Sequence, residues 1–143
     1  MSAVACIGVW DLLHYGHIKL LQKAGHLCDS ITPILHVGVV CDEAVKRQKG
    51  ANRPIIGEKE RLYSVEMIKG VSKAHLVDSF NAFDLVKKVN SMLSFDRITT
   101  FVLGEDQGHI TGTEELESSG VSIYTVKRTP NVSTSDLIKK LGK

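Results

Sequence analysis

Apolar runs rich in β-branched residues alternate along the chain with stretches whose apolar residues recur every three to four positions. That alternation is the sequence form of βαβ units around a parallel sheet. Ala3 to Val9 predicts the first strand, and Ile18, Leu20, Leu21, Ala24 and Leu27 predict a helix with one face for the sheet. Ile34 to Val40 predicts the second strand. Cys41 to Gly57 has few apolar anchors and reads as a loop, with at most a short helical turn at its start. Leu62, Val65, Met67 and Ile68 predict a helix over Glu58 to Lys69, followed by a strand at Ala74 to Val77. Phe83, Leu85, Val86, Val89 and Leu93 predict another helix. Thr99 to Leu103 and Val121 to Val126 are the last strands, separated by a short helix over Thr113 to Ser118. Ser133-Thr134-Ser135-Asp136 supplies capping groups for a closing helix that carries Leu137, Ile138 and Leu141. The expected fold is α/β: a doubly wound five-stranded parallel sheet with helices on both faces.

Composition changes this picture little. The 143 residues are expected to form a single domain, and 43% hydrophobic with 24% charged residues suits a chain that buries a core. Lys and Arg exceed Asp and Glu by 18 − 16 = +2, so no strong overall field gathers nucleic acid or an anionic membrane, and neither is an expected partner. Cys6, Cys28 and Cys41 match no disulfide framework and no CxxC site, which favours a reducing compartment. With no leader-like start and no long apolar run, the expectation is cytoplasmic.

Doubly wound sheets bind ligands beyond the carboxyl ends of their strands, where the strand order switches. The turn after the first strand reads Gly8-Val9-Trp10-Asp11-Leu12-Leu13-His14-Tyr15-Gly16-His17. It sets two imidazoles at a helix start, where free N–H groups and the helix dipole favour phosphate and Gly16 admits close backbone approach. Such rings can donate hydrogen bonds to phosphoryl oxygens as charge develops, without acting as nucleophiles. A lone histidine there would more often be an ordinary helix-start residue, whereas the pair, the glycine and the position favour chemistry. His26, His36, His75 and His109 stand apart and form no metal site. Near the other end, Arg128 offers a planar, permanent cation, and the hydroxyls of Thr129, Ser133 and Thr134 complete an anion cradle.

Gly8 to His17, continuing through Ile18 to Ala24, resembles the signature of the cytidylyltransferase group of the HxGH/HIGH nucleotidyltransferase superfamily, most closely the glycerol-3-phosphate cytidylyltransferases. Arg128 to Asp136 is similar to that family's Arg-Thr-x-Gly-Ile-Ser-Thr-Ser/Thr motif, and Gly104-Glu105-Asp106 to its Gly-Asp-Asp. The resemblance implies a Rossmann-like sheet and a homodimer. It implies nucleotide contacts from Val9, Trp10, His14, Gly16, His17, Asp106, Arg128, Thr129, Ser133 and Thr134. Acceptor contacts would come from Asp11, Lys46, Lys49 and Arg61, with His14, His17, Lys46 and Arg128 carrying catalysis. Which of Lys46 and Lys49 meets phosphate stays open, and Arg61 could equally be a helix-surface charge. The chain departs from the pattern at Asn131, where a glycine is usual, at Gln107, where an aromatic is usual, and at Lys69, where an arginine is usual. It also carries a few extra residues around Ser30 to His36.

The resemblance implies transfer of CMP from CTP to a small alcohol phosphate: glycerol 3-phosphate first, with ethanolamine or choline phosphate next. Magnesium would arrive with the triphosphate, since no carboxylate cluster suggests a protein-built metal site. Two alternatives stand beside it. Lys46 to Pro54 also resembles the Lys-x-x-Lys-Gly-x-x-Arg-Pro of heptose phosphate adenylyltransferases, so an adenylyl enzyme of that or the flavin nucleotide type fits the same histidines. The other alternative is a nucleotide-binding module without turnover.

Overall fold

The computed structural model describes residues 2–27, 34–130 and 133–142. β1 (Ser2–Gly8) lies at the centre of a five-stranded, all-parallel sheet of order β3-β2-β1-β4-β5. β2 (Leu35–Val40) and β3 (Lys73–Val77) flank it on one side, β4 (Arg97–Gly104) and β5 (Ser122–Val126) on the other. A central parallel strand has both faces covered, which is why Ala3 to Ile7 are apolar without alternation and at most 1% exposed. Burial also pushes the Cys6 thiol up to about 12, so it stays protonated. Cys41 is likewise free, and Cys28 lies outside the described residues.

The first five helices divide between the two faces, α1 (Tyr15–Gly25), α2 (Asp42–Lys49), α3 (Glu58–Glu66), α4 (Ala82–Met92) and α5 (Thr113–Ser118), and the last, α6 (Thr134–Lys140), buries no residue in either core. On one face Ala3, Ala5 and Ile7 pack with Leu85 and Val89 of α4, Val45 of α2 and Leu116 of α5. On the other, Val4, Cys6 and Val37 pack with Leu21 and Ala24 of α1 and Val65 of α3. The predicted strands and helices appear with ends displaced by at most three residues. The exception is Cys41 to Gly57, expected as a loop. Its first half is the helix α2, which buries only Ala44 and Val45. Acidic Asp42 and Glu43 at its start and basic Lys46, Arg47 and Lys49 at its end suit the helix dipole. Two apolar anchors in eight residues are too few to show a helical period.

From β1 the chain proceeds outward to β2 and β3, then returns to β4 on β1's other side. The order therefore switches between β1 and β4, and a crevice opens beyond their carboxyl ends, at Gly8 and Gly104.

Candidate active site

A cavity of about 450 Å³ opens at that switch point, large enough for a nucleotide-sized ligand. Gly8, Val9 and Gly104 form its floor, and the start of α1 forms one side. The segment reaching α1 is tightly bent: Trp10 and Leu12 hold left-handed backbone angles, φ 59° and 49°, unusual for large side chains. Interactions on both sides hold them there. The buried Trp10 indole donates from Nε1 to the Gly38 carbonyl at 2.9 Å. A Cβ at residue 8 would lie 2.9 Å from the Trp10 ring, so glycine is required there.

His14 is the N-cap of α1. Its Nδ1 accepts from Gly16 N at 3.0 Å and from His17 N at 3.4 Å, while His17 Nδ1 accepts from His14 N at 3.3 Å. This is a reciprocal capping box built from two imidazoles. A nitrogen that accepts a backbone N–H carries no proton, so the hydrogen-bond network assigns the proton of each neutral ring to Nε2. The rings stack with centroids 3.8 Å apart, and the Trp10 ring meets His17 edge-on. Burial, then the neighbouring His14, lowers the His17 pKa to about 3; burial also lowers that of His14, against the pull of Asp106. Both rings are therefore neutral at pH 7, each with one Nε2–H free of a backbone partner.

The opposite end of the chain closes over this start. Thr134 Oγ1 donates to the Asp11 carbonyl at 2.8 Å, and Ser133 Oγ caps α6 by accepting from Asp136 N. Arg128, Thr129 and Ser133 border the cavity, and Arg128 is held by Asp136 at 3.3 Å and Asp106 at 3.9 Å. Among the described residues no group of three or more His, Cys, Asp or Glu could hold a metal ion.

Val9, Trp10, Asp11, His14, Gly16, His17, Lys49, Asp106, Arg128, Thr129, Ser133 and Thr134 all border this one cavity. Two expected contacts, those of Arg61 and Lys46, are placed off the cavity, and two residues that border it, Asp11 and Thr134, have side-chain groups already partnered. Arg61 is 1% exposed and does not border the cavity; its guanidinium donates to the carbonyls of Ile56, Val9 and Val40 and to Asp42 Oδ1, at 2.7–2.8 Å. Its role is to tie three loops together, not to meet an acceptor. The Asp11 carboxylate is likewise consumed, accepting from Ile55 N and Ile56 N and pairing with Arg53 at 3.4 Å. Lys46 is exposed on α2 away from the cavity, whereas Lys49, at the helix end, borders it. The hydroxyl proton of Thr134 is committed to Asp11, so phosphate would meet other donors of the cradle.

Sequence reasoning missed Lys19, Lys23, Arg53 and His109, which also border the cavity. Lys19 and Lys23 were legible, since they follow His17 on the helix face opposite the buried Leu21 and Ala24. His109 was not, because a loop delivers it. Gln107, at the position of the family's aromatic, locks that loop: Oε1 accepts from Gly104 N and Nε2 donates to the Ile7 carbonyl. Asn131 lies outside the described residues.

A family model described as cytidylyltransferase-like matches residues 5–140. The bifunctional protein HldE of Geotalea uraniireducens is 33% identical over 136 residues, 94% of this chain and 26% of that protein. Its namesake in Citrifermentans bemidjiense is 35% identical over 136 residues, with the same coverage. The chain thus spans about a quarter of the length of the curated relatives it matches. A solved structure, the lipopolysaccharide core biosynthesis protein of Thermoplasma volcanium, superposes with a TM-score of 0.66 at 27% identity, covering 90% of this chain and 97% of that one.

Proposed function

The chain belongs to the cytidylyltransferase-like family, and on that premise we propose that it transfers AMP from ATP to the phosphate of a sugar phosphate and releases pyrophosphate. The observation that carries nucleotidyl transfer is the pair of neutral imidazoles with their protons assigned to Nε2, bordering one cavity together with Arg128 and Lys49. An acceptor phosphate oxygen attacks the α-phosphorus in line. The bond to the bridging oxygen breaks, and pyrophosphate leaves with the electron pair. The acceptor oxygen is already ionised at neutral pH, so the protein needs no general base. His14 and His17 donate from Nε2 to the α-phosphate oxygens as charge develops, Arg128 neutralises the departing phosphates, and the Ser133 hydroxyl donates to them. Each step is positioning and electrostatics. Magnesium held by the triphosphate would supply further charge neutralisation, with Asp106 as the carboxylate available to its water shell.

Sugar phosphate and ATP are favoured over glycerol phosphate and CTP by three features. HldE proteins match across nearly the whole chain. The solved neighbour is named for lipopolysaccharide core synthesis, which is saccharide chemistry. Lys46 to Pro54 follows the heptose-enzyme pattern. The second reading, CMP transfer from CTP to glycerol 3-phosphate, is favoured by the Ser133-Thr134-Ser135-Asp136 end of the last motif. Pyrophosphate release with ATP or CTP, each offered a panel of aldose 1-phosphates and glycerol 3-phosphate, separates the two. Turnover with CTP and glycerol 3-phosphate alone refutes the first reading, and nucleotide binding without pyrophosphate from any pair marks a non-catalytic module.

A further inference from the structure

β1 and β4 stay paired with their outer neighbours to their last residues, Gly8 opposite Val39 of β2 and Gly104 opposite Val126 of β5. The pairing between the two strands stops earlier, with Ala5 opposite Phe101 as its last position. Beyond it the strands diverge, and that divergence is the crevice at the switch point. Extending the register sets Ile7 opposite Leu103, so the Gly104 amide and the Ile7 carbonyl are the donor and the acceptor that a further rung would join. The Gln107 carboxamide stands between them instead. Its Oε1 accepts from Gly104 N at 2.8 Å, and its Nε2 donates to the Ile7 carbonyl at 3.0 Å. The two partners fix which end of the amide is which, because a backbone N–H needs the oxygen and a backbone carbonyl needs the nitrogen. The missing rung is thus replaced by one longer by a carboxamide, in the cavity that Gly8, Gly104 and Gln107 all border.

The same residue shapes the turn beyond β4. Gln107 N donates to the Gly104 carbonyl at 3.0 Å, so Gln107 holds both backbone polar groups of Gly104. Asp106 lies inside that turn, and its Oδ1 would stand 3.3 Å from a Cβ at residue 104, as would Gln107 Oε1. The Asp106 carboxylate therefore folds back over the end of β4, where it borders the cavity. The family's pattern has an aromatic at the position of Gln107, so the bridge belongs to this chain and not to the pattern it otherwise follows. We propose that Gln107 is a positioning residue for nucleotidyl transfer: its carboxamide sets the distance between the end of β1, which leads to His14 and His17, and the turn that carries Asp106. Gln107 acts through these neighbours and not on the substrate. In-line transfer tolerates little error in their spacing, since a displacement of about 1 Å can cost on the order of 10²-fold in rate.

This inference rests on nucleotidyl transfer but not on which nucleotide or acceptor is used. The test compares Gln107→Glu and Gln107→Leu with the parent in steady-state pyrophosphate release from ATP and CTP, each with aldose 1-phosphates and glycerol 3-phosphate, between about pH 8 and about pH 5.5. Amide hydrogen exchange at Gly104 is followed by NMR in the same three proteins. At the upper pH the introduced carboxylate cannot donate to the Ile7 carbonyl, and kcat should fall about 10- to 100-fold while KM for the nucleotide changes less than about threefold. As the pH falls the carboxyl group takes up a proton and regains both a donor and an acceptor, so the ratio of Gln107→Glu to parent kcat should rise towards one. The ratio for Gln107→Leu should stay low and flat, and its Gly104 N–H should exchange at least about tenfold faster than the parent's. A proton–nitrogen spectrum of each variant establishes that it is folded. Equal kcat in all three proteins, a loss confined to KM, a pH-independent ratio for Gln107→Glu, or unchanged exchange at Gly104 overturns the positioning role. A parent that releases no pyrophosphate from either nucleotide refutes nucleotidyl transfer and the positioning role with it, and exchange at Gly104 then reports a structural tie alone.

Discussion

Replacing Arg61 with methionine keeps most of the side-chain volume and removes the guanidinium that joins the end of β1, the end of β2 and the turn before α3. Four hydrogen bonds are lost: to Ile56 O, Val9 O and Val40 O at 2.8 Å, and to Asp42 Oδ1 at 2.7 Å. Bonds from a charged donor contribute about 1.5–3 kcal/mol each, which would sum to about 6–12 kcal/mol if they were independent. They are not. The Val9 and Ile56 carbonyls border partly exposed segments and can recover water, and removing a buried cation relieves its desolvation. The Val40 carbonyl is buried and cannot be rehydrated without opening the site. Breaking a buried ionic network by removing one partner costs about 3–5 kcal/mol, and that is the expected loss. It is a large part of a domain's total stability and would lower the melting temperature by on the order of 10 °C. Urea denaturation at pH 7.5 measures it. Arg61→Lys should recover little, since one ammonium cannot reach three carbonyls and a carboxylate. A variant of unchanged stability with a raised KM for the acceptor would refute the structural role and return Arg61 to the substrate.

His17→Ala should lower kcat about 10²- to 10³-fold with little change in KM, measured as steady-state pyrophosphate release, because a donor aimed at developing charge is removed. His14→Ala should lower kcat similarly and in addition cost about 1 kcal/mol of stability in urea, since His14 is also the N-cap. Lys49→Ala should reduce kcat/KM at least tenfold, while Lys46→Ala, on the exposed part of α2, should stay within about twofold of the parent. Acid should destabilise the fold. Burial holds His17 near 3 and His75 near 4, against 6.5 for a free imidazole, so the unfolded chain takes up protons first as the pH falls. Their stabilising contribution is complete above about 6.5 and declines as the pH falls towards 4 and then 3. Urea midpoints should fall steadily between pH 7 and 5, and His75→Gln should flatten that slope; a midpoint independent of pH would contradict the burial of these rings.

The strands and the location of the site were legible because both follow from repetitive pattern. A buried parallel strand such as β1 announces itself by unbroken apolar residues, and the crevice position follows from alternation of strands and helices. What escaped was set by tertiary contact. Arg61 looks like any charge on a helix until the loops at Val9, Val40 and Ile56 converge on it, and nothing local distinguishes Asp11, which serves two backbone amides 44 and 45 residues away. His109 joins the cavity only through the Gln107 anchor to β1, a pairing across 100 residues. Lys46 and Lys49 differ by less than one helical turn, so only the existence of α2, which its own sequence barely signals, separates the lysine on the cavity from the one on the surface.

The histidine pair joins two readings that the sequence set against each other. An ordinary helix cap and a phosphoryl-transfer donor look like rival explanations of His14 and His17, yet the cap is what makes the donor. A free imidazole distributes its proton between two nitrogens and takes up a second below about pH 6.5. Here each Nδ1 is occupied by a backbone N–H, which commits the proton to Nε2, and burial keeps the second proton away. The helix start thereby turns two titratable rings into fixed dipoles of one orientation. The dipole of α1 adds positive potential at the same place. No acidic residue in the first turn opposes it. A substitution that preserved only a donor in place of the Nε2–H, such as His17→Gln, would retain that donor but not this reciprocal lock, and its loss of kcat would measure what the fixed orientation contributes beyond the hydrogen bond itself.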